Sequence, residues 1–501
     1  MTATGAPARV IGVLGAGTMG AGIAQLAAQS GARTLLYDPD AEALERGLAA
    51  LEAGVRKLVD KGELDGDAGA IAGRAEGVSA LGDLAACDLV IEAVPEVLEL
   101  KHELLGRLSR EVLTRECVLA SNTSSIPITM IAAAVEGRER VVGMHFFNPA
   151  PLMALVEVIP GIESGEAAIE LARATGAAMG RRVILAADVP GFVVNRCNRP
   201  FNLEALRLLG ERIACVEEID RIVRLGGYRM GPFELQDLVG IDTGSMVARS
   251  FFALGFNEPR WRPSPLTERM VGAGLLGRKT KRGWYDYRDG GAYRAEDPPA
   301  PTAGGGEGAV AILGTWPVAA ALRVAAGAAG WTVLAQPGGA DLVIDCDGDG
   351  DGPRAILHHG ADLAGEVVGF HGFPPLAAVE LMLGRSVDPA LADRAESFFA
   401  SLGLHVARVG ESPGGVLGRI VFQTINEACF ALGEGVATAQ DIDAGMTLGM
   451  RHPRGPLAWL ELIGPAHVIA VLDALREVHG DAYRLAPALR RLAGGSEAHN
   501  L

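Results

Sequence analysis

Through the first 190 residues, short apolar runs end in glycine or small polar residues and alternate with stretches of helical spacing. Val10–Leu14 is the first run, and AGIAQLAAQSG follows it with a helical pattern. Thr34–Tyr37, Cys87–Ala93 and Val118–Ala120 repeat the apolar run. Continuous apolar runs of this length suit strands covered on both faces, so the pattern predicts an α/β sheet. Residues 41 to about 82 read as helical and charged, longer than an ordinary strand-to-helix connection. Val141, Val142 and Met144, then Ala154–Val156, predict two adjacent strands around a turn that holds Pro149 and Pro151. Pro190-Gly191-Phe192 breaks the sheet pattern. Helical spacing then runs to about Gly255, which predicts an all-α domain closing the cleft over the sheet's carboxyl edge.

After a Pro/Gly-rich stretch the pattern restarts. Pro190-Gly191-Phe192-Val193 returns 223 positions on as Pro413-Gly414-Gly415-Val416, and Glu218-Ile219-Asp220 returns at the same offset as Asp441-Ile442-Asp443. Upstream, the runs at Val310–Gly314, Trp331–Leu334, Ala340–Asp345 and Val367–His371 echo those at Ile11–Gly15, Arg33–Leu36, Cys87–Glu92 and Val141–His145. The second copy is worn. Gly314-Thr315-Trp316-Pro317 puts bulk where the first copy has a glycine loop, and Gly418 stands at the position of Asn195. His371 and Glu380 survive as a pair, but no second active site is expected.

Composition narrows the picture. A chain of 501 residues with 49% hydrophobic and 21% charged content is globular, with room for several cores. A formal charge of −16 gives no bulk attraction to nucleic acid or an anionic membrane, so an anionic ligand must meet local Lys or Arg. The six cysteines are scattered without a C-x-x-C pair, which suits reduced thiols and a cytoplasmic setting. No metal site, signal peptide or membrane span is read.

Gly15-Ala16-Gly17-Thr18-Met19-Gly20 lies between the first strand and the first helix. Such a loop turns tightly, lets a pyrophosphate approach the backbone, and offers it a helix N-terminus. Asp38 ends the second strand, where an acid accepts from ribose hydroxyls and repels a 2′-phosphate, so NAD is expected over NADP. His145 leaves the first strand of the 141–157 pair and Glu157 lies on the second. A carboxylate on one ring nitrogen fixes the tautomer and frees the other nitrogen to take a proton. Ser121–Ser125 puts hydroxyls just past a strand end, where open sheets bind ligands, although Ser125 also suits a helix cap. Arg56, Lys57 and Lys61 suit a solvated helix face or a substrate phosphate.

GAGTMGAGIA, IEAVPE, SNTSS, GMHFFNPAPLMALVEVI, PGFVVNR, YRMGPFELQDLVGID and LGRKTKRGWYDY, in this order from about Arg9 to Tyr287, resemble the L-3-hydroxyacyl-CoA dehydrogenase family. The resemblance implies NAD as cofactor and an acyl-CoA substrate. It makes His145 the general base, Glu157 its partner, and Ser124 and Asn195 the holders of the substrate oxygen. It places Glu96, Lys101, Ser124, Asn148 and Lys279 against the cofactor, and Lys57 is kept as a substrate contact. The layout with a further module resembles the branch acting on 3-hydroxyadipyl-CoA in phenylacetate breakdown. A short-chain 3-hydroxybutyryl-CoA enzyme and a non-catalytic NAD-binding scaffold are the alternatives. The expected domains are a Rossmann-like NAD-binding domain at 1–189, an all-α domain at 190–288, a linker at 289–308, a degenerate Rossmann-like domain at 309–410 and a second all-α domain at 411–490. The two helical domains are expected to pair within the chain as a pseudo-dimer, with further homo-oligomerisation left open.

Overall fold

The computed structural model describes residues 5–290, 293–346, 355–359, 367–372, 377–383 and 387–494. Parts of the expected linker (291–292) and of the second sheet domain (347–354, 360–366, 373–376, 384–386) lie outside the described residues. The chain forms two compact units, Met1–Arg196 with Glu434–Met450, and Cys197–Gly433 with Arg451–Leu501. The segment 434–450, read from sequence as part of the last helical domain, therefore belongs with the first sheet.

In the first unit an eight-stranded sheet is built from β1 (Val10–Leu14), β2 (Arg33–Tyr37), β3 (Ala75–Val78), β4 (Leu89–Glu92), β5 (Val118–Ser121), β6 (Val141–Phe146), β7 (Leu155–Pro160) and β8 (Arg182–Leu185). Their order is β3-β2-β1-β4-β5-β6-β7-β8, all parallel except the β6–β7 pair. The chain winds outward from β1 and then returns to β4 on its other side. The glycine loop leaves β1 at this switch point, where such sheets bind ligands. The stretch 41–82 is not wholly helical as expected. Helices Ala41–Asp60 and Ala68–Ala72 form, but Ala75–Val78 becomes the edge strand β3. An Ala-Glu-Gly-Val run has little intrinsic strand preference, and pairing with β2 decides it.

Helix Ala439–Ala444 and the π-turn Gly445–Gly449 lie against β7 and β8 of this sheet. A methyl on Gly445 or Gly449 would come within 3.0 Å of Val194 or Leu155, so both glycines permit a close approach. Two ion pairs tie the segment down, Arg196–Glu434 at 2.7 Å and Arg182–Asp441 at 2.8 Å.

The second unit carries β9 (Ala309–Leu313), β10 (Thr332–Leu334), β11 (Leu342–Asp345), β12 (Ala355–His359), β13 (Val367–His371), β14 (Ala378–Leu383) and β15 (His405–Gly410). They form one sheet in the order β10-β9-β11-β12-β13-β14-β15. Its β10-β9-β11 edge is parallel, like β2-β1-β4. From β11 to β14 the pairs are antiparallel. The reason is connection length: residues 346–354 and 360–366 are too few for the crossover helix that parallel neighbours need. The same unit holds helix Arg199–Glu211 packed along helix Leu417–Gly433. Between them Arg419 is buried against Glu204 and Glu211 and bonds Tyr483. Among the described residues, no single helix is long and apolar enough to cross a membrane.

Candidate active site

The glycine loop fits a dinucleotide. Gly15 has φ +95°, and a methyl on Gly20 would sit 1.8 Å from the Gly15 carbonyl oxygen, so these two glycines make the turn and the helix contact. A methyl on Gly17 would meet no protein atom within 4 Å, and Gly17 and Thr18 are exposed. No side chain caps helix Thr18–Gln29, so its first N–H groups point outward with the positive end of the dipole. Ala16 is buried and Met19 half-buried beneath the loop. Asp38 Oδ2 accepts from the Ala16 N–H at 2.8 Å, so this acid braces the loop. A groove of about 460 Å³ opens beside the loop, lined by Gly17, Thr18, Gly22, Arg46 and Gly47 among others.

A second network shapes the loop after β5. Glu92, fully buried at the end of β4, accepts from Lys101 Nζ at 2.8 and 2.9 Å and from the Ser121 hydroxyl at 2.5 Å. Lys101 also lies 3.3 Å from Glu96. Glu96 Oε1 in turn accepts from the Thr123 hydroxyl, the Ser124 and Ser125 N–H groups and the Ser125 hydroxyl, at 2.6 to 3.1 Å. Burial pushes the Glu96 carboxyl up, but the Lys101 charge and these donors outweigh it and hold it below its ordinary value. The resemblance puts Lys101 on the cofactor. The structure buries its ammonium on Glu92 and Glu96, where it anchors the loop that holds Ser124. Sequence reading missed the parts of Glu92 and Ser121, since nothing local reveals a pairing between two strand ends.

His145 and Glu157 face each other directly across the β6–β7 register. His145 Nδ1 lies 2.6 Å from Glu157 Oε2, and both side chains are buried. The other carboxylate oxygen accepts from the Val193 and Val194 N–H groups, each at 3.0 Å. Those two residues open helix Val194–Cys197, so one carboxylate fixes the imidazole and the turn that carries Asn195. Asn195 Nδ2 reaches the Ser124 carbonyl at 3.5 Å, which brings Ser124 and Asn195 to the same side of the sheet. Phe147 packs on the imidazole with ring centres 4.5 Å apart, leaving Nε2 without a protein partner among the described residues. Asn148 is exposed just beyond β6, and Lys57 is exposed on helix Ala41–Asp60. Lys279 belongs to the second unit, where its ammonium lies 2.6 Å from Asp242.

The family model described as "3-hydroxyacyl-CoA dehydrogenase, NAD binding domain" matches residues 10–189. The model for the C-terminal domain of the same family matches twice, at 191–287 and at 414–498. The chain belongs to the 3-hydroxyacyl-CoA dehydrogenase family. It is 36% identical to the 3-hydroxyadipyl-CoA dehydrogenase of Escherichia coli over 97% of both chains. A crystal structure described as 3-hydroxybutyryl-CoA dehydrogenase from Escherichia coli superposes with a TM-score of 0.80 at 34% identity, covering 98% of this chain and 100% of that one. The 3-hydroxybutyryl-CoA dehydrogenase of Bradyrhizobium diazoefficiens is 42% identical, covering 56% of this chain and 95% of its own. That relative thus matches little more than half of this chain, and the C-terminal domain model matches the chain a second time at 414–498. The matching NAD-binding domain makes NAD the cofactor, in agreement with the glycine loop.

Proposed function

We propose that the chain oxidises L-3-hydroxyacyl-CoA to 3-oxoacyl-CoA at His145. The observation that carries this reading is the buried 2.6 Å contact between His145 Nδ1 and Glu157, with Nε2 left open. Glu157 accepts the Nδ1–H, which leaves a lone pair on Nε2. Nε2 takes the proton of the substrate's 3-hydroxyl as the C3–O bond becomes a carbonyl. Bound NAD supplies the acceptor for the hydride that leaves C3. The imidazolium that forms is stabilised by the Glu157 charge. Ser124 and Asn195 bond the substrate oxygen as it gains negative charge. Positioned proton transfer of this kind is worth roughly 10² to 10⁴ in rate.

The acyl group proposed is 3-hydroxyadipyl, as in the full-length relative's name, within an aromatic-acid breakdown route such as that of phenylacetate. The short 3-hydroxybutyryl group is the second reading, because other relatives carry that name. A non-catalytic scaffold is disfavoured by the joint presence of Ser124, His145, Glu157 and Asn195. NAD reduction with 3-hydroxyadipyl-CoA and 3-hydroxybutyryl-CoA tests both points. Turnover of neither would leave the scaffold reading standing. Asp38 adds a cofactor test: equal kcat/KM with NAD and NADP would remove its assigned role.

A further inference from the structure

The second unit holds a cavity that the reaction does not use. It measures about 900 Å³, about twice the groove beside the glycine loop, and falls in the size range of small-molecule sites. Every residue that lines it belongs to the second unit. Leu203, Leu206 and Leu266 give it an apolar wall, and Arg207, Arg212, Arg262 and Arg269 bring positive charge. The acids on its wall are neutralised from outside it. Glu211 lies 2.6 Å from Arg419, and Asp481 lies 3.2 Å from Arg476. Most of the arginines are not neutralised. Arg207 pairs with Glu204, but Arg212 and Arg262 have no ion pair or side-chain hydrogen bond among the described residues. Arg269 reaches only the Pro265 carbonyl, at 3.5 Å. In a chain of formal charge −16, three guanidinium groups left over around one cavity make a local field that favours an anion. Arg212 is also held in a costly conformation. It ends helix Arg199–Glu211 at φ +62°, a left-handed position that favours glycine. The second copy has Gly435 there, at the same offset of 223 and with φ +70°. The first copy thus keeps a guanidinium where its own repeat shows that glycine serves the turn.

We propose that this cavity is a second ligand site, which takes an acyl-CoA thioester with its phosphates on Arg212, Arg262 and Arg269 and its alkyl chain along the leucine wall. Several guanidinium groups call for an anion of more than one charge, and their planar forks match phosphate oxygens. The leucines call for an alkyl chain, and a phosphorylated thioester carries both. The site shares no residue with the His145 centre, so its occupant binds there without reacting.

Titration calorimetry of the full chain, saturated with NADH, counts the sites with decanoyl-CoA, which lacks the 3-hydroxyl and cannot be oxidised. The triple variant Arg212→Gly, Arg262→Gln, Arg269→Gln is expected to bind one equivalent fewer per chain than wild type, with kcat on a hydroxyacyl-CoA unchanged. Because the readout is a difference, it holds whether or not the His145 centre also binds the thioester. Arg212→Gly alone should keep the wild-type Tm, since glycine suits its φ. It should weaken the second site about tenfold, the scale of one charge-assisted hydrogen bond. CoA and decanoate each carry one half of the recognised chemistry, and both should bind this site more weakly than decanoyl-CoA. Equal stoichiometry in wild type and triple variant would overturn the proposal. If the triple variant does not fold, unchanged affinities in Arg212→Gly would overturn it instead. CoA or decanoate binding as tightly as the thioester would overturn the assigned ligand class.

Discussion

Glu157 does two jobs with two oxygens, and the second copy separates them. Its counterpart Glu380 pairs with His371 in register and accepts from the Val416 and Leu417 N–H groups, 223 positions on from Val193 and Val194. The helix-capping job is thus kept where a catalytic one is not expected. Burial raises Glu380 to about 7 and lowers His371 to about 3. Gly418 also has a spatial reason to replace the asparagine, because a methyl there would lie 2.4 Å from the His371 ring. For the first copy, His145→Ala should nearly abolish turnover while NADH still binds. Glu157→Gln should keep the cap, since its carbonyl oxygen can take both N–H groups. Its amide N–H₂ then faces Nδ1 and forces the proton onto Nε2, the wrong tautomer for a base. The expected loss is about 10² to 10⁴ in kcat at unchanged cofactor affinity. Steady-state kinetics beside NADH titration checks both variants, and more than about a tenth of wild-type kcat in His145→Ala would end the general-base assignment.

At the scale of elements, the segment 434–450 is the least expected neighbour of the first sheet. A Cβ on Gly445 would lie 3.0 to 3.4 Å from Val194, Ile184 and Val193, tighter than ordinary contact. Gly445→Leu should therefore cost about 1–3 kcal/mol by overpacking and, because Val194 precedes Asn195, reduce kcat as well. Glu434→Ala removes one partner of Arg196, which is 2% exposed, although Glu434 itself is 50% exposed. Solvent on that side limits the expected loss to about 1 kcal/mol. Thermal melts and kcat measured together test this, and a Gly445→Leu enzyme of wild-type stability and rate would show that the segment does not brace the site. The strands that carry the glycine loop, Glu92, Ser121, His145 and Glu157 were legible because buried strands need unbroken apolar runs. The facing of His145 and Glu157 was legible because a short proline-rich turn joins their strands. The edge strands β3 and β8 were not, since Ala75–Val78 lacks strand-forming residues and Arg182–Leu185 is partly exposed. Nor was the docking of 434–450, because it depends on contacts more than two hundred residues apart that leave no local period.

Buried histidines and buried carboxyls pull the molecule's acid response in opposite directions. Burial holds His371 and His452, both in the second unit, at about 3, well below their ordinary 6.5. A depressed histidine pKa gives stability that is full above 6.5 and is lost as pH falls through the window toward 3. Each should cost about 2 kcal/mol by pH 5. Glu380 and Asp220, both raised by burial to about 7, gain stability over the same window. The check is therefore the difference between variants: Tm should fall less, or rise more, from pH 7 to 5 in His452→Phe than in wild type. The second unit also bears on why the chain is long. Helix Arg199–Glu211 packs along helix Leu417–Gly433, and an offset of 223 carries the first largely onto the second. Equivalent helices in mutual contact are what a pseudo-two-fold pair of the helical copies requires. The apolar residues Phe201, Ala205 and Leu208 that the first helix buries would otherwise need a partner molecule. Fusing the copy to the same chain supplies that partner at high effective concentration. A fragment of residues 1–290 lacks this covering helix. It also lacks segment 434–450, whose glycines and ion pairs lie against the first sheet. The fragment should therefore aggregate, or dimerise through its bared helical face, and light scattering with chromatography reads either outcome. A 1–290 fragment that is monomeric, stable and fully active would show that the second copy is not needed to complete the first.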